Sequence, residues 1–343
     1  MEKYFRIKLK CEAYIIISVA ITTYNGEKFI IEQLQSILEQ TRTPDEVIIS
    51  DDKSTDNTVS IVKEFIKANA LANWRLIVNE RQKGWHKNFI DTIAMTKGEI
   101  IFCSDQDDVW LENKIEIMAR AIKENHRILC LSGMVLTIDG EGNEIESKSV
   151  NPRKKYNGVI KAIPFSKKFN TITLLGCTMC FTKELAAAIK AVNVDYFAHD
   201  EQICRLSTIL VGTYIINIPV IKYRIHQNNT SEIVSGIPYG SSSVLKRIDS
   251  ITKNALWLDA VIKYCKNKNN CKREIVNIMI KTKEFLEARN NFLKSKNIFK
   301  FFILMKYLEY YSNLGMYLGD LCYAFGINKL GGKIMWKFRK IFK

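Results

Sequence analysis

Four short polar segments of this 343-residue chain carry residue types that do chemistry. Asp105-Gln106-Asp107-Asp108 stands directly after the apolar run Ile100 to Cys103. Three carboxylates in four residues repel one another and are costly unless a cation neutralises them. Hard oxygen donors of this kind suit Mg²⁺ or Mn²⁺. The competing reading is a solvated turn whose last residue, Asp108, caps a helix entered at Leu111. The second segment, Asp51-Asp52-Lys53-Ser54-Thr55-Asp56, also follows an apolar run and opens a helix. Ser54, Thr55 or Asp56 can cap that helix, which leaves Asp51 and Asp52 to accept hydrogen bonds from a nucleobase imide or ribose hydroxyls. The third, His199-Asp200-Glu201-Gln202, precedes the helical run through Ile203, Leu206 and Leu210; a carboxylate there acts as a general base toward a hydroxyl or simply caps the helix. The fourth, Tyr223-Arg224-Ile225-His226-Gln227-Asn228-Asn229, offers a cation and an imidazole, although a lone histidine is more often structural.

Chemistry at these positions requires elements that bring them together. The run Tyr14 to Ile21 is β-branched, apolar apart from Ser18, and followed by the turn residues Asn25 and Gly26, which predicts a strand buried on both faces. Ile30, Leu34, Ile37 and Leu38 then fall at helical spacing, and Pro44 ends that helix before a strand from Glu46 to Ser50. Asp56 precedes a second helix with Val59, Val62, Phe65 and Ile66 on one face, followed by strand Arg75 to Val78, another helix, and strand Glu99 to Cys103. This alternation predicts an α/β fold, a mostly parallel sheet with helices on both faces, whose ligands bind beyond the carboxyl ends of the strands. Those ends are Thr22 to Gly26, Asp51 to Asp56, Asn79 to Asn88 and Ser104 to Trp110, which adds Asn88 to the nucleotide-contact candidates. Later strands are expected near Ile128 to Leu136 and Thr213 to Lys222, with a turn at Asp139 to Gly142 and a basic loop at Arg153 to Lys155.

The net charge of +15 is regional. Residues 1–243 hold 30 Lys and Arg against 29 Asp and Glu, whereas residues 244–343 hold 21 against 7. Nine cysteines without an N-terminal signal pattern predict reduced thiols and a cytoplasmic setting. Cys177 and Cys180 form a CxxC, but no second ligand pair lies at zinc-finger spacing and their neighbours are apolar, so burial is the expectation. No apolar run is long enough to predict a spanning helix.

The stretch Val19-Ala20-Ile21-Thr22-Thr23-Tyr24-Asn25-Gly26-Glu27, then Ile49-Ser50-Asp51-Asp52-Lys53-Ser54-Thr55-Asp56-Asn57-Thr58, then Asp105-Gln106-Asp107-Asp108-Val109-Trp110, resembles the family 2 glycosyltransferases of GT-A fold. The three motifs occur in the family's order and spacing, and with His199-Asp200 and Tyr223 to His226 they look most like the bacterial polysaccharide subgroup that includes rhamnosyltransferases. The resemblance spans roughly residues 14 to 230 and implies a GT-A catalytic domain over 1–240, followed by a basic helical region over 241–343. It also implies that Thr22, Tyr24 and Asp52 hold the base and ribose of a nucleoside-diphosphate sugar. Asp107, helped by Asp105, matches the ligand of a Mg²⁺ or Mn²⁺ ion, His226 a residue beside that metal, and Asp200 the catalytic base of an inverting transfer. Asp108, His199, Glu201 and Arg224 are supporting candidates. Many relatives carry Glu-Asp where this chain has His199-Asp200, so Glu201 is a rival base.

Two other classes compete. A nucleotidyltransferase would favour a glycine-rich phosphate loop after the first strand, and Thr22 to Gly26 is not one. A catalytically silent membrane-bound nucleotide-sugar-binding protein would tolerate loss of the carboxylates, all of which are present. The basic C-terminal region, rich in Phe, Tyr and Lys from Lys296 to Tyr311 and again from Lys333 to Lys343, reads as lying on an anionic membrane surface. Packing against the catalytic domain or a second subunit is the alternative. Nucleic acid is not an expected partner, because no recognition motif accompanies the charge. The implied acceptor is a glycan or lipid-linked glycan, and the expected location is peripheral, on the cytoplasmic face of the cell membrane.

Overall fold

A continuously apolar, β-branched run fits the middle of a sheet covered on both faces, and that is where β1 (Ile17–Thr23) lies, every residue buried. In the computed structural model, residues 14–146, 155–192, 194, 197–226, 243–268 and 271–326 are described. The strand begins at Ile17 rather than Tyr14, because Tyr14 is exposed and its hydroxyl donates to Asp45 at the sheet's margin. Parallel to β1 run β2 (Glu46–Asp51) on one side and β4 (Ile100–Ser104) on the other, with β3 (Trp74–Val78) outside β2. Helices α1 (Ile30–Leu38), α2 (Thr58–Ala68) and α3 (Trp85–Met95) make the crossovers.

The second half of the sheet is mixed. Short β8 (Met179–Thr182) is antiparallel to both β4 and β6 (Cys130–Ile138); β9 (Thr213–Arg224) is parallel to β6 and pairs antiparallel with β5 (Val109–Trp110) and β7 (Ile160–Ala162). The order β3-β2-β1-β4-β8-β6-β9-β5 therefore carries β9 across to the segment after β4. The β5–β9 register, Val109 opposite Lys222 and Trp110 opposite Ile221, brings the end of β9 beside the acidic quartet. Gly133 permits the close approach of β6 to β9, since a Cβ there would lie 2.4 Å from the Val220 side chain.

Alternate residues of β1 enter different cores, as a two-residue period requires. Val19 and Ile21 pack with Leu34 and Ile37 of α1, Val62 of α2 and Met118 of α4 (Lys114–Glu124). Ala20 faces Phe89 of α3 and a cluster with α5 (Lys183–Val192) and α6 (His199–Ile209). That second core continues into α7 (Val244–Lys268) and α8 (Arg273–Ser295) through Trp257, Val261, Met279 and Phe285. The C-terminal helices thus share a core with the α/β part. The boundary expected near residue 240 lies outside the described residues, as do Arg153, Lys154 and the tail Lys333 to Lys343. After α8 come α9 (Ile298–Ile303), a 3₁₀ turn (Leu304–Tyr310) and α10 (Leu314–Ala324). Among the described residues no helix is long and apolar enough to cross a membrane.

The helical region is fastened by a buried ionic clip. Asp320 on α10 accepts from Arg289 Nε at 2.7 Å and Nη2 at 3.0 Å, from Arg247 Nε at 2.7 Å and from the Tyr311 hydroxyl at 2.7 Å. Burial alone would raise its pKa, but Arg289, then Arg247 and Tyr311, hold it below the ordinary carboxylate value.

Candidate active site

The loops after β1 and β2 are zipped together by side chains. Asn25, in the left-handed region at φ 48°, accepts from the Thr55 amide at 2.8 Å and donates its own amide to Ser54 Oγ at 2.9 Å. Glu27 accepts from both the amide and the side chain of Asn57, while Asp56 accepts from the Glu27 and Thr58 amides. Asp51 is fully buried, and its oxygens accept from Thr23 Oγ1 (2.7 Å), the Ser54 amide (2.7 Å) and Ser54 Oγ (2.5 Å). Asp52 accepts from the amides of Lys83 and Gly84, each at 2.8 Å, and from Asn79 Nδ2. Asn88 bridges Ser50 and Asn79 beneath these loops. Asp51, Asp52 and Asn88 therefore brace the loops beyond β1 and β2 through protein contacts, while Tyr24 is exposed and Thr22 is buried at the strand end.

The quartet is built differently. Asp108 does not cap a helix: β5 follows it, and α4 starts only at Lys114. Asp108 Oδ1 accepts the Arg224 amide at 3.0 Å, and its buried Oδ2 has no partner. Burial and then Asp107 raise the Asp108 pKa to about 7. Asp105 is held well above the usual range by burial, then by the charges of Asp107, Asp108 and Asp200. Asp107 Oδ2 lies 2.9 Å from His226 Nε2. Asp105, Asp108 and Cys177 each present an atom within 4.8 Å of the others. Carboxylates short of compensating charge, with one orphaned buried oxygen, fit a hard divalent cation. The thiol does not belong to such a donor set; Cys177 only lies beside the carboxylates. The CxxC is buried, as expected.

Asp200 projects from the first turn of α6, whose N-cap is Ala198 and has no side-chain cap. Its carboxylate accepts from the Glu201 amide at 2.7 Å, and burial raises its pKa. Glu201 is paired with Arg205, which Asn254 of α7 holds at 2.7 Å, so the rival base is engaged with the helical region. His199 is buried, stacked on Phe89 at 3.8 Å, with both ring nitrogens unpartnered and its pKa lowered to about 3 by burial. Gly176 is obligatory beside it: a Cβ there would stand 2.5 Å from His199 Nε2.

The sequence places Gln106 in the quartet without a role of its own and singles out neither Lys114 nor His86. Gln106 accepts from the Tyr24 amide (2.8 Å) and donates to the Tyr24 carbonyl (3.0 Å), joining the quartet to the β1 loop. Lys114 is fully buried under the quartet, donating to the Cys177 carbonyl at 2.7 Å with its ammonium 3.6 Å from the Trp110 ring centroid; burial lowers its pKa to about 8. His86 lies close enough to Asp200 for its charge to favour the carboxylate. A lysine carries no sequence signal of burial, and His86 is a lone histidine in the first turn of α3.

Residues 18–189 match the model of glycosyl transferase family 2. The chain belongs to that family. Among similar relatives, the dTDP-rhamnosyl transferase RfbG of Shigella flexneri is 29% identical over 61% of this chain and 72% of its own. The glucosyltransferase WfgD of Escherichia coli, which uses UDP-Glc and a GlcNAc-diphosphoundecaprenol, is 31% identical over 43% of this chain and 55% of its own. The S. aureus TarS structure with UDP-GlcNAc superposes with a TM-score of 0.58 at 16% identity, covering 94% of this chain and 92% of that one. The α/β part of this family 2 member thus has the GT-A fold, and the helical region follows it.

Proposed function

We propose that this family 2 enzyme is an inverting glycosyltransferase that moves a sugar from a nucleoside-diphosphate donor to a hydroxyl of a lipid-linked glycan in cell-surface polysaccharide synthesis. The observation that carries the reading is the convergence on Asp105 of Asp107 and Asp108 from the same segment after β4 and of Asp200 from α6, each within electrostatic reach of it. Thr22, Tyr24 and Asp52 border the nucleotide's place beyond β1 and β2. Asp105 and Asp107, with His226 beside them, would hold Mg²⁺ or Mn²⁺, which when bound supplies positive charge to the leaving diphosphate. Asp200 takes the proton of the acceptor hydroxyl as its oxygen attacks the anomeric carbon from the face opposite the departing diphosphate. One C–O bond forms as the other breaks, and the configuration inverts. Burial makes Asp200 a stronger base, and the α6 dipole helps keep it ionised.

The similarity to RfbG favours dTDP-rhamnose as donor, with a UDP-sugar as the alternative suggested by WfgD. The acceptor named for WfgD, together with the basic helical region, favours a peripheral position on the cytoplasmic face of the membrane. Calorimetric titration of UDP and dTDP, with and without Mn²⁺, into wild type and Asp107→Ala tests the site. Metal-dependent binding lost in the variant is expected; wild type that ignores both nucleotides in the presence of metal would overturn it. A donor screen with turnover from UDP-hexoses alone would remove the rhamnose assignment.

A further inference from the structure

The hook formed by residues 296–311, which holds α9 and the 3₁₀ turn after it, has two faces of opposite character. Phe301, Leu304 and Tyr310 turn inward, with Phe301 against Phe292 (ring centroids 5.3 Å apart) and Tyr310 against Phe285 (5.8 Å). Phe299, Phe302 and Met305 turn outward and are 76%, 58% and 53% exposed, with Ile298, Ile303 and Leu308 around them. Lys296, Lys300 and Lys306 stand in the same hook. Large apolar side chains gathered this densely on a surface mark a contact site.

Beside the hook is a shallow cavity of about 410 Å³ lined by the cations Lys167, Arg273 and Lys281, with Glu274, Asn277 and Tyr310. The Tyr310 side chain is buried and its hydroxyl has no hydrogen-bond partner. Lys167 reaches Glu309 at 2.6 Å, and Lys168 reaches the Ser312 carbonyl at 3.2 Å, fixing the hook to the loop ahead of the 3₁₀ turn Phe169–Thr171. With Lys167 paired to Glu309, Arg273 and Lys281 against Glu274 keep the lining net positive, and with the phenol donor they suit a phosphate.

We propose that hook and cavity together are a docking surface for an anionic lipid bilayer, the outward side chains entering the headgroup layer and the cavity taking one lipid phosphate. The hook is too short to span and combines apolar with basic residues, the make-up of an interfacial element. Charge complementarity selects the bilayer over a neutral partner, since Lys296, Lys300 and Lys306 accompany the exposed rings against Glu309, and Arg273 and Lys281 line the cavity against Glu274. Binding is scored without turnover, so this surface stands or falls apart from the transfer reaction.

The test is flotation of the full chain with vesicles of phosphatidylcholine alone or mixed with phosphatidylglycerol, for wild type, Phe299→Ser/Phe302→Ser and Arg273→Glu/Lys281→Glu. All four positions are exposed, and circular dichroism with nucleotide titration checks that each variant is folded. Wild type should float only with the anionic vesicles. The aromatic variant should lose on the order of tenfold in partitioning per ring removed, and the charge-reversal variant its preference for phosphatidylglycerol. Folded variants that float like wild type would overturn the proposal. So would inorganic phosphate binding lost in the charge variant with flotation unchanged, which makes the cavity a free-anion site. A dimer that the aromatic variant converts to monomer, again with flotation unchanged, would assign the hook to a second copy.

Discussion

Two aspartates, both almost completely hidden from solvent, sit in opposite electrostatic situations. Asp320 in the helical region meets two guanidiniums and a phenol, and its pKa falls below the ordinary value. Asp108 in the quartet accepts from one backbone amide, keeps an oxygen without a partner among the described residues, and has its pKa raised. The first is a completed structural ion cluster. The second is short of positive charge within the protein, and Lys114 beneath it spends its one resolved hydrogen bond on a carbonyl. Burial of a carboxylate does not by itself announce a site; the absence of compensation does.

The contrast can be broken experimentally. The largest effect is expected at the base: Asp200→Asn should lower kcat by about 10²- to 10⁴-fold while leaving nucleotide affinity intact, as steady-state kinetics and calorimetry will show. Next, Asp320→Ala strands the buried Arg289 guanidinium and the partly buried one of Arg247, and should cost about 3–5 kcal/mol in denaturant unfolding. Asp108→Asn should do the reverse of Asp320→Ala in metal-free protein, leaving the melting temperature unchanged or higher, and should shrink the rise produced by Mn²⁺. The pH dependence follows the same signs. With a folded pKa of about 7, Asp108 removes stability from the metal-free protein as pH rises from the ordinary carboxylate range to about 7. Asp320, lowered, contributes fully above that range and loses its contribution as pH falls through its folded value. The smallest effect sharpens the choice of base: the acid limb of kcat should lie above the ordinary aspartate range because Asp200 is raised, and Glu201→Gln should leave that limb in place.

The parallel half of the fold was legible because its strands are continuous apolar runs ending in polar clusters, and β1, β2 and β4 stand within a few residues of their expected places. Short β8 was not, because four residues around a CxxC carry no usable period. The antiparallel pairings of β5 and β7 depend on β9 crossing the sheet, which no local pattern encodes. The charged members of the site were readable as clusters. Lys114 and Gln106 were not, since a lysine at a helix start reads as solvated and a glutamine among aspartates carries no charge; only the tertiary fold buries the one and aims the other. The assignment of Asp51 and Asn88 to the nucleotide is where a motif and a scaffold look alike in sequence, since the same polar residues at a strand end can face a ligand or brace a loop.

Arg224 has a consequence for how the chain is made. It reaches Glu32 across 192 residues, donates to the Asp107 and Asp139 carbonyls, and gives its amide to Asp108. During synthesis the strands β1 to β4 are complete long before this arginine leaves the ribosome, so the nascent quartet spends that interval without its main protein clamp. Contacts of such sequence separation form slowly and late. The acidic quartet therefore gains this clamp only after β9, the last strand of the sheet in chain order, has been made.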